Sequence, residues 1–487
     1  MISGSNSSGA QLARGAGDLL HRPLTEVSEL IRTKQLGVEE LTRQLLEVIA
    51  DVDPRLHSYL TVCADEAIKE ARAADREIAH GGYRGPLHGI PLGIKDLVNT
   101  KNVRTMCGSQ ILAGFVPDLD ATVVTRLRDA GAIVIGKHSM TEFAGIAYHP
   151  TVTPPVNPWK ADRWPGASSS GSAVAVAAGL CFAAIGSDTG GSLRFPSAAC
   201  GVVGFKASYG RVSRHGAYPL AETLDHVGPI ARTVEDAWLV LKAIAGYDPH
   251  DATTWKFRDK LQNSPTEGVR NLRIAVDERF CTDSLNEQVS SALLTAAMRM
   301  KELGAVTVPV QTSGFDGANA AWGVIYCGDS AATHGAMYAQ HASEYNPTFR
   351  AGLEAAFKVT AADYATATMK RAHVTRAIDQ LLQDADVLLW PAMGQTARPF
   401  DELAPGGVIS PETADYLLRY TAPVSLSGHP ALVLSCGFDS DEMPIAMQFI
   451  ALQGREDLLF QMGSAYQQAT DWHRRIPPVS QSNGGGR

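Results

Sequence analysis

Two serine-rich segments carry residue types able to attack a carbonyl. One is Gly166-Ala167-Ser168-Ser169-Ser170-Gly171-Ser172, followed by a run of small residues over 173–179. The other is Gly186-Ser187-Asp188-Thr189-Gly190-Gly191-Ser192-Leu193-Arg194-Phe195-Pro196. A serine hydroxyl is a weak nucleophile until a base takes its proton. Successive N–H groups of a glycine-rich turn can converge on one point and hold an oxyanion, and Thr189-Gly190-Gly191-Ser192 supplies such a turn with a serine at its end. Each segment alone also reads as a tight polar turn beside a closely packed helix. No histidine stands near either segment in a triad-like pattern, so the base must come from elsewhere.

The stretch 89–98 sets Lys95 and Asp96 in an otherwise apolar run. Two readings stand: a surface salt bridge at a strand end, or a partly buried lysine. Desolvation would lower the pKa of the second kind, and its neutral amine could then act as a base near neutral pH. Other signatures fail. There is no H-E-x-x-H for zinc and no G-x-S-x-G elbow for a Ser-His-Asp hydrolase. The run Gly131-Ala-Ile-Val-Ile-Gly136-Lys137-His138 comes near a phosphate-binding loop. It has His138 where a magnesium-binding hydroxyl belongs and an apolar strand where exposed N–H groups are needed.

The elements that must position these residues alternate. Helical periodicity runs over 24–32, 38–50, 64–80, 122–130, 234–245, 287–303 and 361–382. Short apolar runs at 132–135, 182–185, 272–276, 387–390, 431–434 and 445–450 read as strands. The alternation predicts an α/β sheet with helices on both faces and chemistry on loops at strand ends. Of 487 residues, 45% are apolar and 19% charged, a globular balance. A net charge of −8 without any Lys/Arg-rich run excludes nucleic acid as a partner. Seven scattered cysteines with no C-x-x-C pair fit a reducing compartment. Residues 1–17 lack the basic stretch followed by an apolar one that a secretory leader would show, and the small-residue stretch 173–186 is shorter than the ~20 residues a spanning helix needs. The expectation is a soluble cytoplasmic protein, with no membrane association.

Taken together, these segments resemble the amidase signature family. The match covers residues 86–98, 122–143 and, most densely, 157–216, ending the second serine segment with Ala199-Cys200-Gly201-Val202-Val203-Gly204. It resumes over 421–448 with Thr-Ala-Pro-Val-Ser-Leu-Ser-Gly-His-Pro-Ala and Met-Pro-Ile-Ala-Met-Gln. The resemblance implies a Ser-cisSer-Lys triad. Its lysine falls on Lys95, its bridging serine on Ser168 and its nucleophile on Ser192, and the 24-residue spacing of the serines matches the motif. The implied oxyanion hole is the backbone of Thr189, Gly190, Gly191 and Ser192, with Ser169, Asp96, Asp188 and Arg194 in support or in structural salt bridges. The sequence departs from the family's usual pattern at Ala167 and Ser170, both normally glycine, and at Ala207, which follows Lys206 where proline is typical.

The implied fold is α/β, a large mixed central sheet surrounded by helices. One domain would span 18–479, with polar tails at 1–17 and 480–487. The implied chemistry needs no metal or organic cofactor. The implied substrate is a small amide, with anilides, carbamates and esters chemically admissible. Pocket candidates are Met106, Cys107, Gly108, Phe143, Trp322, Tyr326 and Met393, the last three of which also read as ordinary core. The assembly would be a monomer or homodimer. The alternatives are the glutamine-hydrolysing component of a tRNA-dependent amidotransferase, which needs partner proteins, and a non-catalytic scaffold.

Overall fold

Among the described residues, eleven strands join one mixed sheet. They are β1 (Tyr59–Val62), β2 (Pro91–Lys95), β3 (Ile133–His138), β4 (Ala183–Asp188), β5 (Val203–Lys206), β6 (His226–Ala231), β7 (Arg273–Val276), β8 (Val306–Pro309), β9 (Val387–Pro391), β10 (Ala431–Phe438) and β11 (Pro444–Ile450). Their spatial order is β1-β3-β2-β4-β6-β5-β10-β11-β9-β7-β8. The structure, a computed structural model, describes residues 19–257, 261, 268–405 and 409–480. The expected tail at 1–17, and all of the one at 480–487 except Ser480, lie outside them.

The helices are α1 (Leu24–Arg32), α2 (Val38–Leu56), α3 (Ala64–Ala79), α4 (Thr122–Asp129), α5 (Ser170–Ala177), α6 (Arg194–Cys200), α7 (Val234–Ile244), α8 (Glu287–Glu302), α9 (Ala318–His341), α10 (Pro347–Ala356), α11 (Ala361–Leu381), α12 (Phe400–Leu403), α13 (Pro411–Leu418), α14 (Ala422–Ser427) and α15 (Glu456–Gln468). Strands β2, β3, β4, β6, β9 and β11 are buried at every residue. The expected runs at 132–135, 182–185, 387–390 and 445–450 overlap β3, β4, β9 and β11, while β6, with His226, Gly228 and Pro229, was not expected. Among the described residues no helix is long and apolar enough to cross a membrane.

Two features of this frame position the site. β2 and β4 are parallel neighbours, with Leu92 opposite Ala183 and Ile94 opposite Ile185. Their carboxyl ends therefore emerge side by side, and Lys95 arrives next to the loop that follows Asp188. Beside them α5, Ser-Gly-Ser-Ala-Val-Ala-Val-Ala, is buried at every residue. Its small side chains allow that depth: a Cβ on Gly171 would lie 2.5 Å from the carbonyl oxygens of both Ser139 and Ser58. The start of α5 brings the first serine segment to the same sheet edge.

The helical expectation over 24–32 coincides with α1. The one over 38–50 is short, because Val52 and Leu56 continue the buried face of α2 past Pro54, whose missing N–H removes one bond without ending the helix. α9 and α10 were not expected. The face of α9 that packs is built from Ala318, Ala321, Ile325, Asp329, Ser330 and His334, a mixture with weak apolar periodicity. With Leu426 of α14 and Ala367 and Val374 of α11, its apolar members form a separate cluster that also takes in Ala221 and Leu224.

Candidate active site

Lys95 is fully buried at the end of β2. Its Nζ lies 2.7 Å from Ser168 Oγ, 2.9 Å from Ser169 Oγ and 2.9 Å from Ser187 Oγ. Burial drives its pKa from 10.5 down to about 7, against the pull of Asp188 and Asp225. Ser169 Oγ donates to the carbonyl of Ser187 at 3.1 Å, so toward Lys95 it is an acceptor. A neutral amine has two N–H donors and one lone pair, which leaves the lone pair free to accept from a remaining hydroxyl.

Asp96 does not share this cage. Successive strand residues face opposite ways, and Asp96 Oδ2 accepts the N–H of Met106 at 3.0 Å while Oδ1 lies 3.6 Å from Lys137 Nζ. Burial raises the Asp96 carboxyl to about 6, with Lys137 opposing. Both members of the Lys95–Asp96 pair are buried, so the surface salt-bridge reading does not hold. Lys137, the lysine of the near phosphate-binding loop, is itself buried, donating to Val98 O at 2.8 Å and Thr105 Oγ1 at 2.5 Å.

The first serine segment turns through a cis Ala167–Ser168 peptide. Its two departures from the glycine pattern are both accommodated. The Ala167 methyl packs with Trp164 and Phe195 in an apolar cluster, and Ser170 Oγ lies 2.5 Å from Tyr148 Oη. The Ser169 N–H donates to the carbonyl of Ser192 at 3.2 Å, joining the two segments.

The loop carrying Ser192 is wound around Asp188. The buried carboxylate accepts the N–H of Gly191 at 2.9 Å and of Leu193 at 3.3 Å, and Arg194 Nε and Nη2 at 2.9 and 3.0 Å. Burial works against its charge, but the Arg194 guanidinium overrides it and holds the carboxyl well below the usual range. Thr189 Oγ1 donates to Asp225 Oδ1 at 2.6 Å. Glycine is required at two points. A Cβ on Gly190 would lie 2.5 Å from Trp322 Cζ2, and Gly191 sits at φ +138 with the Phe195 ring 2.5 Å from its missing Cβ.

Ser192 and Gly190 open onto a cavity of ≈ 220 Å³ lined by Ile146, Trp164, Ala167, Phe195, Trp322, Tyr326, Leu353, Ile409, Leu417 and Leu418, among others. None of the lining residues is charged. The wall from α10 is held by Glu142, which accepts the N–H and Nδ2 of Asn346 at 2.8 and 2.6 Å and the hydroxyl of Ser109 at 2.6 Å.

The amidase family's sequence profile matches residues 40–460. The chain belongs to the amidase signature family. AmiD of Mycobacterium tuberculosis is 43% identical over 456 residues, covering 94% of this chain and 96% of that one. A glutamyl-tRNA(Gln) amidotransferase component from Trichormus variabilis is 38% identical, over 94% of this chain and 99% of its own. The solved native peptide amidase of Stenotrophomonas maltophilia superposes with a TM-score of 0.80 at 30% identity, covering 94% of this chain and 98% of that one. Membership makes this protein a hydrolase of carbon–nitrogen bonds in amides.

Within this amidase, the structure gathers Lys95, Ser168, Ser169 and Ser187 into one contact group and sets Asp188 and Arg194 beneath the Ser192 loop. Of the expected pocket residues, Trp322 and Tyr326 line the cavity. The others do not. Phe143 packs among Tyr218, His334, Tyr345 and Phe349. Met393 belongs to the core cluster of Trp164 and Phe195. Met106 and Gly108 give their backbone N–H groups to the Asp96 carboxylate, and Cys107 gives its own to the Asp96 main-chain carbonyl at 3.3 Å. Sequence reasoning missed Ser187 as a lysine partner, Asp225 as the anchor of Thr189, and the α10 and α13 walls. Ser187 alone carried a signal, since it stands at the end of the strand that flanks β2.

Proposed function

We propose that this amidase hydrolyses small neutral amides with an apolar group, through Ser192 as nucleophile, Ser168 as proton relay and Lys95 as base. The observation that carries the reading is a fully buried Lys95 whose Nζ lies 2.7 Å from Ser168 Oγ, with burial lowering its pKa to about 7. Neutral Lys95 takes the Ser168 hydroxyl proton as Ser168 takes that of Ser192. Ser192 Oγ bonds to the carbonyl carbon, and the displaced electron pair rests on the oxygen. With the Gly191 N–H given to Asp188, the donors for that oxyanion are the N–H groups of Thr189, Gly190 and Ser192. The C–N bond then breaks as Ser168 passes a proton to the leaving nitrogen, and Lys95 returns one to Ser168. Water cleaves the acyl-enzyme by the same relay. Esters and carbamates fit this scheme, since their leaving groups are no harder to expel.

The second reading is glutamine hydrolysis for a tRNA-dependent amidotransferase, favoured by the relative from Trichormus variabilis. Glutamine brings an ammonium and a carboxylate, and burying them without partners is unfavourable. The uncharged cavity lining supports a neutral substrate instead. The test is a panel of anilides, aliphatic amides, carbamates, esters and glutamine, read as kcat/KM. Ser192→Ala is expected to abolish turnover and labelling by a fluorophosphonate. Unchanged hydrolysis in that variant would overturn the assignment, and glutamine as best substrate would favour the second reading.

A further inference from the structure

Two side chains outside the triad hold carbonyls of the Ser192 loop. Trp322 of α9 donates its indole N–H to the carbonyl of Thr189 at 2.9 Å. Thr421, the residue preceding α14, donates its hydroxyl to the carbonyl of Gly190 at 2.5 Å. The next carbonyl along, Gly191, accepts the N–H of Phe195 at 2.7 Å. A trans peptide is planar, with its C=O and the following N–H pointing in opposite directions. Fixing the Thr189 carbonyl therefore fixes the direction of the Gly190 N–H, and fixing the Gly190 carbonyl fixes the Gly191 N–H onto Asp188. Without those two donors, the glycine pair would be the freest part of the loop.

We propose that Trp322 and Thr421 are positioning residues for the amide reaction, clamping the two glycine peptides of the loop so that the Gly190 N–H is preset for the oxyanion. The inference rests on the reading of this loop as the oxyanion-binding turn. Trp322 is suited to the task because it is itself held. Its ring stacks on Tyr326 one turn along α9, with centroids 5.1 Å apart and planes 18° apart. The same ring meets Gly190 so closely that no side chain fits between them. It also lines the substrate cavity, so the group that walls the substrate aims the donor that stabilises its transition state.

The test separates aim from fit. Trp322→Phe keeps a ring on Tyr326 and loses the donor. Removal of a whole oxyanion donor lowers kcat by about 100- to 1,000-fold, so loss of its aim is expected to lower kcat by about tenfold with KM changed by no more than about twofold. The affinity of a trifluoromethyl ketone, which forms the tetrahedral adduct, should fall in proportion to kcat/KM, while that of the product acid stays unchanged. Thr421→Val should show the same pattern and Thr421→Ser should recover most of the loss. Full kcat in Trp322→Phe and Thr421→Val, or losses confined to KM, would overturn the inference. If Ser192→Ala is inert while both clamp variants are fully active, only the clamp fails. If Ser192→Ala still turns over, the loop reading fails and takes the clamp with it.

Discussion

The buried lysine makes a quantitative claim about pH. Only its neutral form can accept the Ser168 proton, and its pKa stands at about 7. About half of the enzyme is then competent at pH 7, one-tenth at pH 6 and nine-tenths at pH 8, so kcat/KM should fall about tenfold from its plateau to pH 6. A lysine left at 10.5 would be neutral in about three molecules per ten thousand at pH 7, so enclosure is worth about a thousandfold in competent enzyme. The assay is initial-rate hydrolysis of an anilide with no ionisable group, from pH 5.5 to 9.5, with Lys95→Met and Lys95→Arg as controls that have no base to free. A limb near pH 10, or a flat profile below pH 8, would refute the assignment of the base. The same shift acts on stability. Between pH 7 and 10.5 the unfolded chain binds this proton and the folded chain does not, so the Lys95 contribution rises with pH across that window. Below pH 7 the burden is complete, about 5 kcal/mol at most. Lys95→Met should therefore be inactive yet more resistant to urea than the parent at pH 6, with the gap closing toward pH 10.

Arg194→Ala should be costly in a different way. It leaves the fully buried Asp188 carboxylate without its guanidinium and should lower stability by about 3–5 kcal/mol in urea denaturation, with loss of turnover as the loop loosens. Asp225→Asn removes a charge that raises the Lys95 pKa. It should move the acid limb downward by up to about one pH unit, seen in the same rate profile. Asn346→Ala removes the side chain that caps α10 by accepting the Phe349 N–H and binds Glu142. It should lower the melting temperature, with about 1 kcal/mol from the cap alone, and raise KM more than it lowers kcat, because α10 walls the cavity.

How far the sequence was legible varied with the range of the forces involved. α1 was readable because its apolar residues repeat at helical spacing, a local property. β6 was not readable, since His226, Gly228 and Pro229 interrupt its run, whereas β9 was, because burial on both faces leaves an unbroken apolar run. Lys95 stood out for the same reason, as a charge in a run that had no business carrying one. The lining of the cavity was not readable. Phe143 and Met393 are of the same types as Trp164 and Leu417, and only long-range packing decides which of them faces a void. Thr421 lies 231 residues from the carbonyl it holds, and nothing local distinguishes it from any other threonine before a helix. The departures at Ala167 and Ser170 were visible, but their compensation by Phe195 and Tyr148 was not.

The enclosure of Lys95 has a chemical consequence of its own. An ordinary surface lysine near neutral pH is shielded from acylation by its proton, which occupies the lone pair. Lys95 gives up that shield, and a free amine beside an acyl-enzyme would be a rival acceptor for the acyl group. Lys95, Ser168 and Ser169 are all fully buried, while Ser192 is the hydroxyl of the set that reaches the cavity. Steric seclusion thus replaces protonation as the safeguard. It holds the amine that takes the proton out of reach of the electrophile it helps to activate.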